Sequence, residues 1–407
     1  MSLRKLKHKL VERLFYPKIP NRLLADIYQV AVDSRWRVHT IHQPFDVDVP
    51  IPAGLDDEDA LSYCSSGSSM RFNAQHLVCI PNGISCGSGF VRLKDGGFLV
   101  ESTRCLNVML SSKPFRRRKS SKYQKISGDC YCLRTSWGDN YAHWMYEDLP
   151  RLLSALPHLP EDTKFIVPEN IAGWKIESLN AIGIDQARLV PLAQHVETQC
   201  EYLWFATILG SMQWFHTSSD VAQGVRQKLI DYAARQLSEG DRADLPLSEY
   251  IFISRKGVPN NRLVNEAELT KVLDKLGFEI ILMENYSLSQ QVEIIKNASV
   301  VVGAHGAGLT NIMFAKPSTI MVELQDDSYL CPRPWYWKLA NCYGCNYKTI
   351  VGQTTKFDDV VKVEFHIDPV FFEMALSDLC TSKNDPATSG RGWYDMAWFE
   401  SQIKTLN

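Results

Sequence analysis

The sequence predicts an α/β fold with a parallel, doubly wound sheet, and two observations carry this prediction. From residue 250 onward, short apolar runs alternate with amphipathic segments through short connections, which is the pattern of strand–helix–strand units. The chain has 407 residues, more than one hydrophobic core usually holds, so we expect two domains of roughly 150 to 200 residues. Such sheets bind ligands at the carboxyl ends of their strands.

The elements of the C-terminal half follow in order along the chain. A capping box from Asn265 to Glu268 predicts the start of one helix, which Gly277 ends. Ser287 or Ser289 predicts the start of a second helix. The strands are runs rich in β-branched residues bounded by turn residues, and they are predicted at 250–254, 279–283, 300–302 and 319–324.

The N-terminal half is less regular. A helical region is predicted at 140–156, a strand at 163–167 and a long amphipathic helix at 221–237. The polar segment 238–247 predicts a domain boundary. We therefore divide the chain into an N-terminal α/β domain, a second domain and a C-terminal extension that packs back on them, at residues 1–237, 238–350 and 351–407.

Composition excludes several classes of partner and location. The net charge of −2 gives no general attraction to nucleic acid. No apolar run reaches the ~20 residues that span a bilayer, and the first ten residues lack a signal-peptide core, so we expect a cytoplasmic protein. The basic and apolar residues of segment 3–15 have amphipathic spacing. They predict either peripheral contact with an anionic membrane or a solvated helix.

The cysteines favour reduced thiols over a disulfide framework. Their number, eleven, is odd, and they are scattered through apolar stretches. Cys342 and Cys345, with Cys331 upstream, match the spacing of a zinc or redox site only in part, because no second pair follows at finger spacing. We therefore predict no bound metal.

The most informative segment is residues 303–311, Gly-Ala-His-Gly-Ala-Gly-Leu-Thr-Asn, directly after Val300-Val301-Val302. It predicts a strand that ends in a small-residue turn and opens a helix, whose first N–H groups have no partner within the helix. Such a turn binds phosphate, and the glycines allow a diphosphate to approach the backbone. The glycine spacing fits neither the P-loop nor the dinucleotide fingerprint.

A second cluster is predicted on the helix that starts near Asn140. His143 and Glu147 are four residues apart and share one helix face. A carboxylate beside an imidazole is able to accept the proton of a hydroxyl. The alternative is a purely structural i,i+4 pair next to a buried Trp144, and this cluster by itself favours that alternative.

Together the motifs resemble glycosyltransferase family 61. They are Asn-Tyr-X-His-Trp with a following acidic residue and Leu-Pro-Arg-Leu, then Ile-Ser-Arg, the histidine–glycine turn, and Val-Glu-Leu. The resemblance covers about residues 134–324. It implies a GT-B-like enzyme with two Rossmann-like domains facing a cleft, which inverts the sugar's configuration, uses a nucleotide-sugar donor and needs no metal.

The resemblance also implies roles for single residues. Glu147 is expected to be the base that deprotonates the acceptor, with His143 beside it and Asp148 as the competing carboxylate, whereas Asn140 and Arg134 support the acceptor side or the helix. Glu323 is expected at the end of its strand as a ribose or base contact. The donor diphosphate is expected to contact Arg255, His305, Gly306, Ala307, Gly308, Leu309 and Thr310.

The predicted function is transfer of a sugar, with a UDP-sugar favoured as donor, to a glycan or lipid-linked glycan, in surface or capsular polysaccharide synthesis. No further cofactor is expected. One rival is an NAD-dependent oxidoreductase, since a strand–glycine–helix unit also holds dinucleotides, although only Glu323 is placed as its acidic residue. The other rival is a catalytically silent scaffold that binds sugar nucleotides.

Overall fold

The fold is that of a computed structural model. The N-terminal amphipathic segment 3–15 and Cys331 lie outside the residues that it describes. Those residues are 24–25, 36–51, 68–87, 89–92, 98–99, 102, 124–135, 138–193, 196–209, 218–258, 262–328, 334–359, 362–381, 393–395, 397, 400 and 402.

The strands of the described residues range from short edge pieces to longer central strands. In chain order they are β1 (Leu24–Ala25), β2 (Arg37–His42), β3 (Phe45–Asp48), β4 (Ser69–Phe72), β5 (Gln75–Pro81), β6 (Ile84–Cys86), β7 (Phe90–Arg92), β8 (Phe98–Leu99), β9 (Gln124–Cys132), β10 (Lys164–Pro168), β11 (Leu189–Leu192), β12 (Thr198–Ala206), β13 (Tyr250–Ile253), β14 (Glu279–Ile281), β15 (Val300–Ala304), β16 (Ile320–Asp326), β17 (Asn346–Asp359), β18 (Lys362–His366) and β19 (Trp393–Tyr394).

The helices confirm the helical segments predicted at 140–156 and 221–237. The first of these is a continuous run of α, π and 3₁₀ turns. The α-helices are Tyr141–His143, Leu149–Ala155, Gly173–Ala181, Ser219–Gln236, Glu239–Ala243, Glu266–Lys275, Leu288–Lys296, Pro334–Cys342 and Pro369–Thr381; a π-helix is Trp144–Asp148; and 3₁₀ helices are Leu156–His158, Gln186–Arg188, Met283–Asn285 and Ala307–Phe314.

The chain forms two compact units. The first contains the described residues within 1–44 and 73–212, and the second contains those within 45–72 and 213–407. The helix Ser219–Gln236, which the sequence assigns to the end of the first domain, groups with the second unit because it packs on Leu288–Lys296. The compact units therefore divide the chain earlier than the predicted boundary at 237/238.

The second unit has the predicted alternation of strands and helices. Its sheet has the order β14-β13-β15-β16-β17-β18, and β13 to β17 pair in parallel. All five residues of β15 are buried, as expected for a central parallel strand covered on both faces. Parallel strands with helical connections are compatible with a Rossmann-like fold.

The first unit departs from the predicted parallel sheet. Strands β9, β10, β11 and β12 include parallel neighbours, whereas β2, β5, β6 and β7 pair antiparallel. Connection length explains the β6–β7 pair, because these strands are separated by only a few residues and a parallel crossover needs a dozen or more. The strands β5 and β12 pair antiparallel across a long separation in the chain. The sheet is therefore mixed, and the prediction of two purely parallel sheets is wrong for this unit.

Two predicted helix starts have different outcomes. Ser287 forms a reciprocal capping box with Gln290, which confirms Ser287 over Ser289. Asn265 precedes the helix Glu266–Lys275 but makes no side-chain cap. Its amide instead bonds the backbone of Ile367 in both directions, at 2.8 and 3.2 Å, so the predicted capping box there is wrong.

Within the part of the chain that the structure describes, no helix combines the length and apolarity needed to cross a bilayer.

Candidate active site

The family-like motif of the first unit lies on a helix with a local change of pitch. Asn140 caps its N-terminus, where its Oδ1 accepts from the N–H groups of Ala142 at 2.9 Å and His143 at 3.3 Å. A π-turn then runs from Trp144 to Asp148, and the N–H of Leu149 bonds the carbonyl of Trp144. Single π-turns inside helices frequently occur at functional sites.

His143 and Glu147 form the predicted pair. His143 Nδ1 and Glu147 Oε2 are 2.7 Å apart. The side chains keep 17% and 7% exposure respectively, so the pair is shielded from bulk water but not enclosed. A partly desolvated carboxylate held by an imidazole is suited to accept a proton from a hydroxyl group.

Asp148 has a different environment from its neighbour Glu147. Its carboxylate accepts from Thr135 Oγ1 at 2.8 Å and from Arg151 Nη2 at 3.0 Å, and its side chain is fully buried. These contacts fix Asp148 inside the unit. Of the two candidate bases, the structure therefore presents Glu147 beside His143 and uses Asp148 in a buried ion pair.

The two support residues of the predicted site have structural contacts. Asn140 is the helix cap described above. Arg134 follows β9 and is buried, and its Nη1 donates to the carbonyls of Ala193 at 3.0 Å and Val196 at 3.2 Å. Arg134 therefore ties the end of β9 to the segment that leads into β12.

The second cluster lies where β15 ends. His305 follows this strand, and its N–H donates to the carbonyl of Leu324 at 2.8 Å. Gly306 then precedes the 3₁₀ helix Ala307–Phe314, in which the first hydrogen bond runs from Leu309 to Gly306. The N–H groups of Ala307 and Gly308 come before that bond, so neither has a partner in the helix. Residues 306–308 are also partly exposed, as a phosphate-binding turn requires.

Arg255 lies directly against this turn. It comes two residues after the end of β13, and a Cβ built on Gly306 would lie only 1.8 Å from Arg255 Nη1. Glycine at 306 therefore leaves the space that the guanidinium fills. Burial lowers the pKa of Arg255 from its ordinary value, and the nearby Tyr336, Glu266 and Glu284 act in the opposite direction, but a guanidinium remains a cation at any physiological pH.

Glu266 holds the Arg255 segment in place. One carboxylate oxygen accepts from the hydroxyl of Ser254, and the other accepts from the Arg255 N–H at 3.2 Å. Sequence reasoning assigns Glu266 no role in the site, because it treats this residue as the first turn of a helix. The contact depends on the fold, which brings the start of that helix next to the end of β13.

Glu323 lies inside β16, three residues before its end, and not at the end as predicted. It is fully buried and hydrogen-bonds His305 Nδ1 and, at 2.6 Å, the hydroxyl of Tyr347. Both carboxylate oxygens are thus engaged by protein groups. This arrangement gives Glu323 a role in holding His305. Glu323 is therefore not available as the acidic residue that would bind a ribose in the NAD-dependent oxidoreductase alternative.

Two of the predicted donor contacts are buried. Leu309 is 1% exposed and Thr310 is fully buried. Leu309 packs on Gly303, and the Thr310 hydroxyl is one of the influences that lower the pKa of Tyr336. The groups that reach the surface of this turn are therefore those of Gly306, Ala307 and Gly308, beside Arg255 and the nearly buried His305.

Cys342 is half-buried, Cys345 is buried, and both are free thiols. Burial raises the pKa of each to about 12, so neither is a thiolate at neutral pH. Among the residues that the structure describes, no three His, Cys, Asp or Glu side chains converge as metal ligands would.

Comparisons with known proteins point to one family. Residues 141–322, somewhat less than half of the chain, match the sequence model of the family Glycosyltransferase 61. This match includes His143, Glu147, Arg255 and the turn at 305–310. It confirms the resemblance to glycosyltransferase family 61 predicted from the motifs.

Three curated relatives share part of this segment. A beta-1,2-xylosyltransferase of Arabidopsis thaliana is 34% identical over 121 residues, which is 26% of this chain and 22% of the plant protein. A beta-1,2-xylosyltransferase of Oryza sativa subsp. japonica is 30% identical over 116 residues, 26% of this chain and 21% of that protein. An EGF domain-specific O-linked N-acetylglucosamine transferase of Drosophila melanogaster is 31% identical over 102 residues, 24% of this chain and 19% of the fly protein. The chain thus spans about a fifth of the length of these relatives.

Proposed function

We propose that this chain is a glycosyltransferase that transfers a sugar from a nucleotide-sugar donor to a hydroxyl group of a glycan. The observation that supports it most is the position of Arg255 directly against Gly306. The residues of this turn are partly exposed, and the N–H groups of Ala307 and Gly308 have no hydrogen-bond partner within the helix that begins there. The family match over residues 141–322 gives this anion site its context.

In this proposal the second unit binds the donor. A guanidinium, two backbone N–H groups and the imidazole of His305 provide donors of hydrogen bonds for the oxygens of a diphosphate. Glycine at 306 leaves room for the Arg255 guanidinium beside the turn, and glycine at 308 lets the turn pack closely on Ile253. These groups favour the leaving diphosphate most when it gains negative charge, so they lower the barrier of the transfer.

The first unit activates the acceptor. Glu147 takes the proton of the acceptor hydroxyl, whose oxygen forms a bond to the anomeric carbon of the sugar. The bond from that carbon to the diphosphate oxygen breaks, and the diphosphate leaves with the electron pair. One displacement of this kind inverts the configuration at the anomeric carbon. No metal enters the step, because Arg255 and the turn supply the positive potential.

The finer assignments remain part of the proposal. We favour a UDP-sugar, and the relatives that transfer xylose and N-acetylglucosamine make a pentose or an N-acetylhexosamine the first sugars to test. We place the reaction in the cytoplasm, in surface or capsular polysaccharide synthesis, with a glycan or lipid-linked glycan as acceptor and peripheral contact with the membrane. A GT-B-like architecture belongs to the same proposal.

The test is a thermal-shift and calorimetric panel of UDP, GDP, CMP and NADH, each with and without EDTA, since a ligand of the native state raises the unfolding temperature. The proposal expects a shift with one nucleoside phosphate that EDTA leaves unchanged. It also expects Arg255→Met to abolish that shift, whereas Lys256→Met, at the exposed neighbouring position, keeps it. A shift with NADH alone, or with none of the four, would overturn it.

The silent-scaffold alternative is separated by turnover. Wild-type protein that binds UDP should release UDP from UDP-xylose or UDP-N-acetylglucosamine in the presence of a glycan acceptor. Binding without release from any donor tested would favour the scaffold.

A further inference from the structure

Three polar side chains, one directly after β15 and one each from β16 and β17, form a buried series of hydrogen bonds. His305 Nδ1 bonds Glu323 Oε1, and the hydroxyl of Tyr347 donates to Glu323 Oε2 at 2.6 Å. The side chains of His305 and Glu323 are 4% and 0% exposed, and Tyr347 is 9% exposed. Bulk water therefore contributes little to the charges and hydrogen bonds of these three side chains.

The register of the sheet brings the three residues together. Glu323 on β16 is paired with Gly303 on β15 and with Thr349 on β17. His305 lies two positions after Gly303, and Tyr347 lies two positions before Thr349. Residues two apart on a strand share a face, so the geometry places all three side chains on the face of Glu323.

The chemistry of the central carboxylate fixes the hydrogens on both sides. An ionised carboxylate only accepts, so His305 Nδ1 carries a proton and Tyr347 donates its own. The tautomer of a histidine is set in this way by the partner of one ring nitrogen. The other nitrogen, Nε2, is then the one whose protonation changes with pH.

We propose that Glu323 and Tyr347 are positioning residues which fix the tautomer and charge of His305, so that His305 Nε2–H donates to the donor's diphosphate. This inference deepens the proposed function and rests on it. Glu323 stabilises the imidazolium through its negative charge, and Tyr347 limits that effect by sharing the charge of the carboxylate. Tyr347 thereby sets the pH above which the cation is lost.

The other charged and titratable groups around His305 act on the same balance. Trp335 and Tyr336 lie with their ring centroids 5.2 Å from that of His305. Burial raises the pKa of Tyr336, and the charge of Glu323 acts in the same direction, while the Thr310 hydroxyl, Arg255 and Arg262 oppose it. Tyr336 is therefore a neutral neighbour. The positive charges of the two arginines oppose protonation of His305, whereas the carboxylate of Glu323 favours it.

Replacing Tyr347 by Phe removes the donor to Glu323 Oε2. This change destabilises most the state in which His305 is neutral and Glu323 is charged, because the buried carboxylate then lacks a hydrogen-bond donor at Oε2. The pair therefore holds its proton to higher pH, and we expect the His305 titration midpoint to rise by about one unit. Glu323→Gln removes the negative charge and should lower the midpoint instead.

The experiment is an NMR titration of the His305 ring in the full chain. His305→Gln identifies its signal among those of the ten histidines. The matched control is Tyr394→Phe, which removes another buried tyrosine hydroxyl that donates to a carboxylate, here Asp378 at 2.7 Å, in the same unit. UDP affinity is then measured over the same pH range by calorimetry.

We expect a higher midpoint in Tyr347→Phe, a lower one in Glu323→Gln and the wild-type value in Tyr394→Phe. UDP affinity should be greatest below the midpoint and fall as pH rises through it, and this fall should move upward in Tyr347→Phe. Equal midpoints in Tyr347→Phe and Tyr394→Phe, or an unchanged midpoint in Glu323→Gln, would overturn the roles of these residues. Midpoints that move as expected in a protein that does not bind UDP would overturn the link to the diphosphate and the proposed function.

Discussion

Two of the histidine–glutamate pairs among the described residues have opposite settings. His143 and Glu147 are four residues apart on one helix, and their side chains are 17% and 7% exposed. His305, directly after β15, and Glu323, within the adjacent strand β16, are 18 residues apart in the chain and 4% and 0% exposed, and Tyr347 donates to the Glu323 carboxylate. In our proposal the first pair exchanges a proton with a reacting group, whereas the second holds a histidine in a fixed state.

The largest effect is expected when the carboxylate of the first pair is neutralised. We expect Glu147→Gln to lower turnover by about 10²- to 10⁴-fold, the usual contribution of a general base. The donor site in the second unit should be unaffected, so UDP affinity should stay at the wild-type value. Steady-state release of UDP and calorimetric binding measure the two quantities, and unchanged turnover would remove Glu147 as the base.

Asp148→Asn tests whether the neighbouring carboxylate is structural. Removing one partner of the buried pair with Arg151 should lower the free energy of unfolding by about 3 kcal/mol. Denaturant unfolding gives this value, and Asp162→Asn, at an exposed position of the same unit, is the control. A variant of normal stability that has lost all turnover would show that Asp148, and not Glu147, takes the proton.

Gly306→Ala sharpens the assignment of the second cluster. Its backbone is extended, with φ 162°, so alanine adds no strain of its own, but the new Cβ would displace the guanidinium of Arg255. The loss of one charge-assisted contact should weaken UDP binding by about 10- to 100-fold with little change in stability. Gly173→Ala, where a Cβ meets no atom within 4 Å, serves as control, and wild-type affinity in Gly306→Ala would contradict the site.

The smallest expected effect concerns the cap that orients the first pair. Asn140→Ala should cost about 1 kcal/mol of stability and lower turnover, because the helix start that carries His143 loosens. Ser287→Ala removes a comparable cap in the second unit and should cost similar stability without changing turnover. Equal turnover in the two variants would show that Asn140 has no part in orienting His143.

The contrast between the pairs also shows which parts of the site can be predicted from the sequence. The contact between His143 and Glu147 is predicted from helical spacing, and the turn at 303–311 from its glycines, because both signals are local. The role of the His143–Glu147 pair comes from the family resemblance. Sequence reasoning directs the Glu323 carboxylate toward a ribose, since a sequence does not show which residues face it from neighbouring strands. Tyr347 has only the ordinary pattern of a buried strand, so its partner emerges from the register of β16 and β17.

The same limit applies to the fold. The strands and helices from residue 250 onward follow from apolar periodicity, and the parallel order of β13 to β17 follows from their helical connections. The mixed sheet of the first unit depends on β5, β9 and β12, which meet across long separations in the chain. None of these three is among the predicted strands, and periodicity carries no information about a strand's direction of pairing.

The division of roles between the two pairs is tested most directly by calorimetric titration of UDP into wild-type protein, Glu147→Gln and His305→Gln. We predict that Glu147→Gln binds UDP like the wild type, and that His305→Gln binds at least about tenfold more weakly because a charge-assisted hydrogen bond is lost. Full affinity in His305→Gln together with loss of binding in Glu147→Gln would contradict the account.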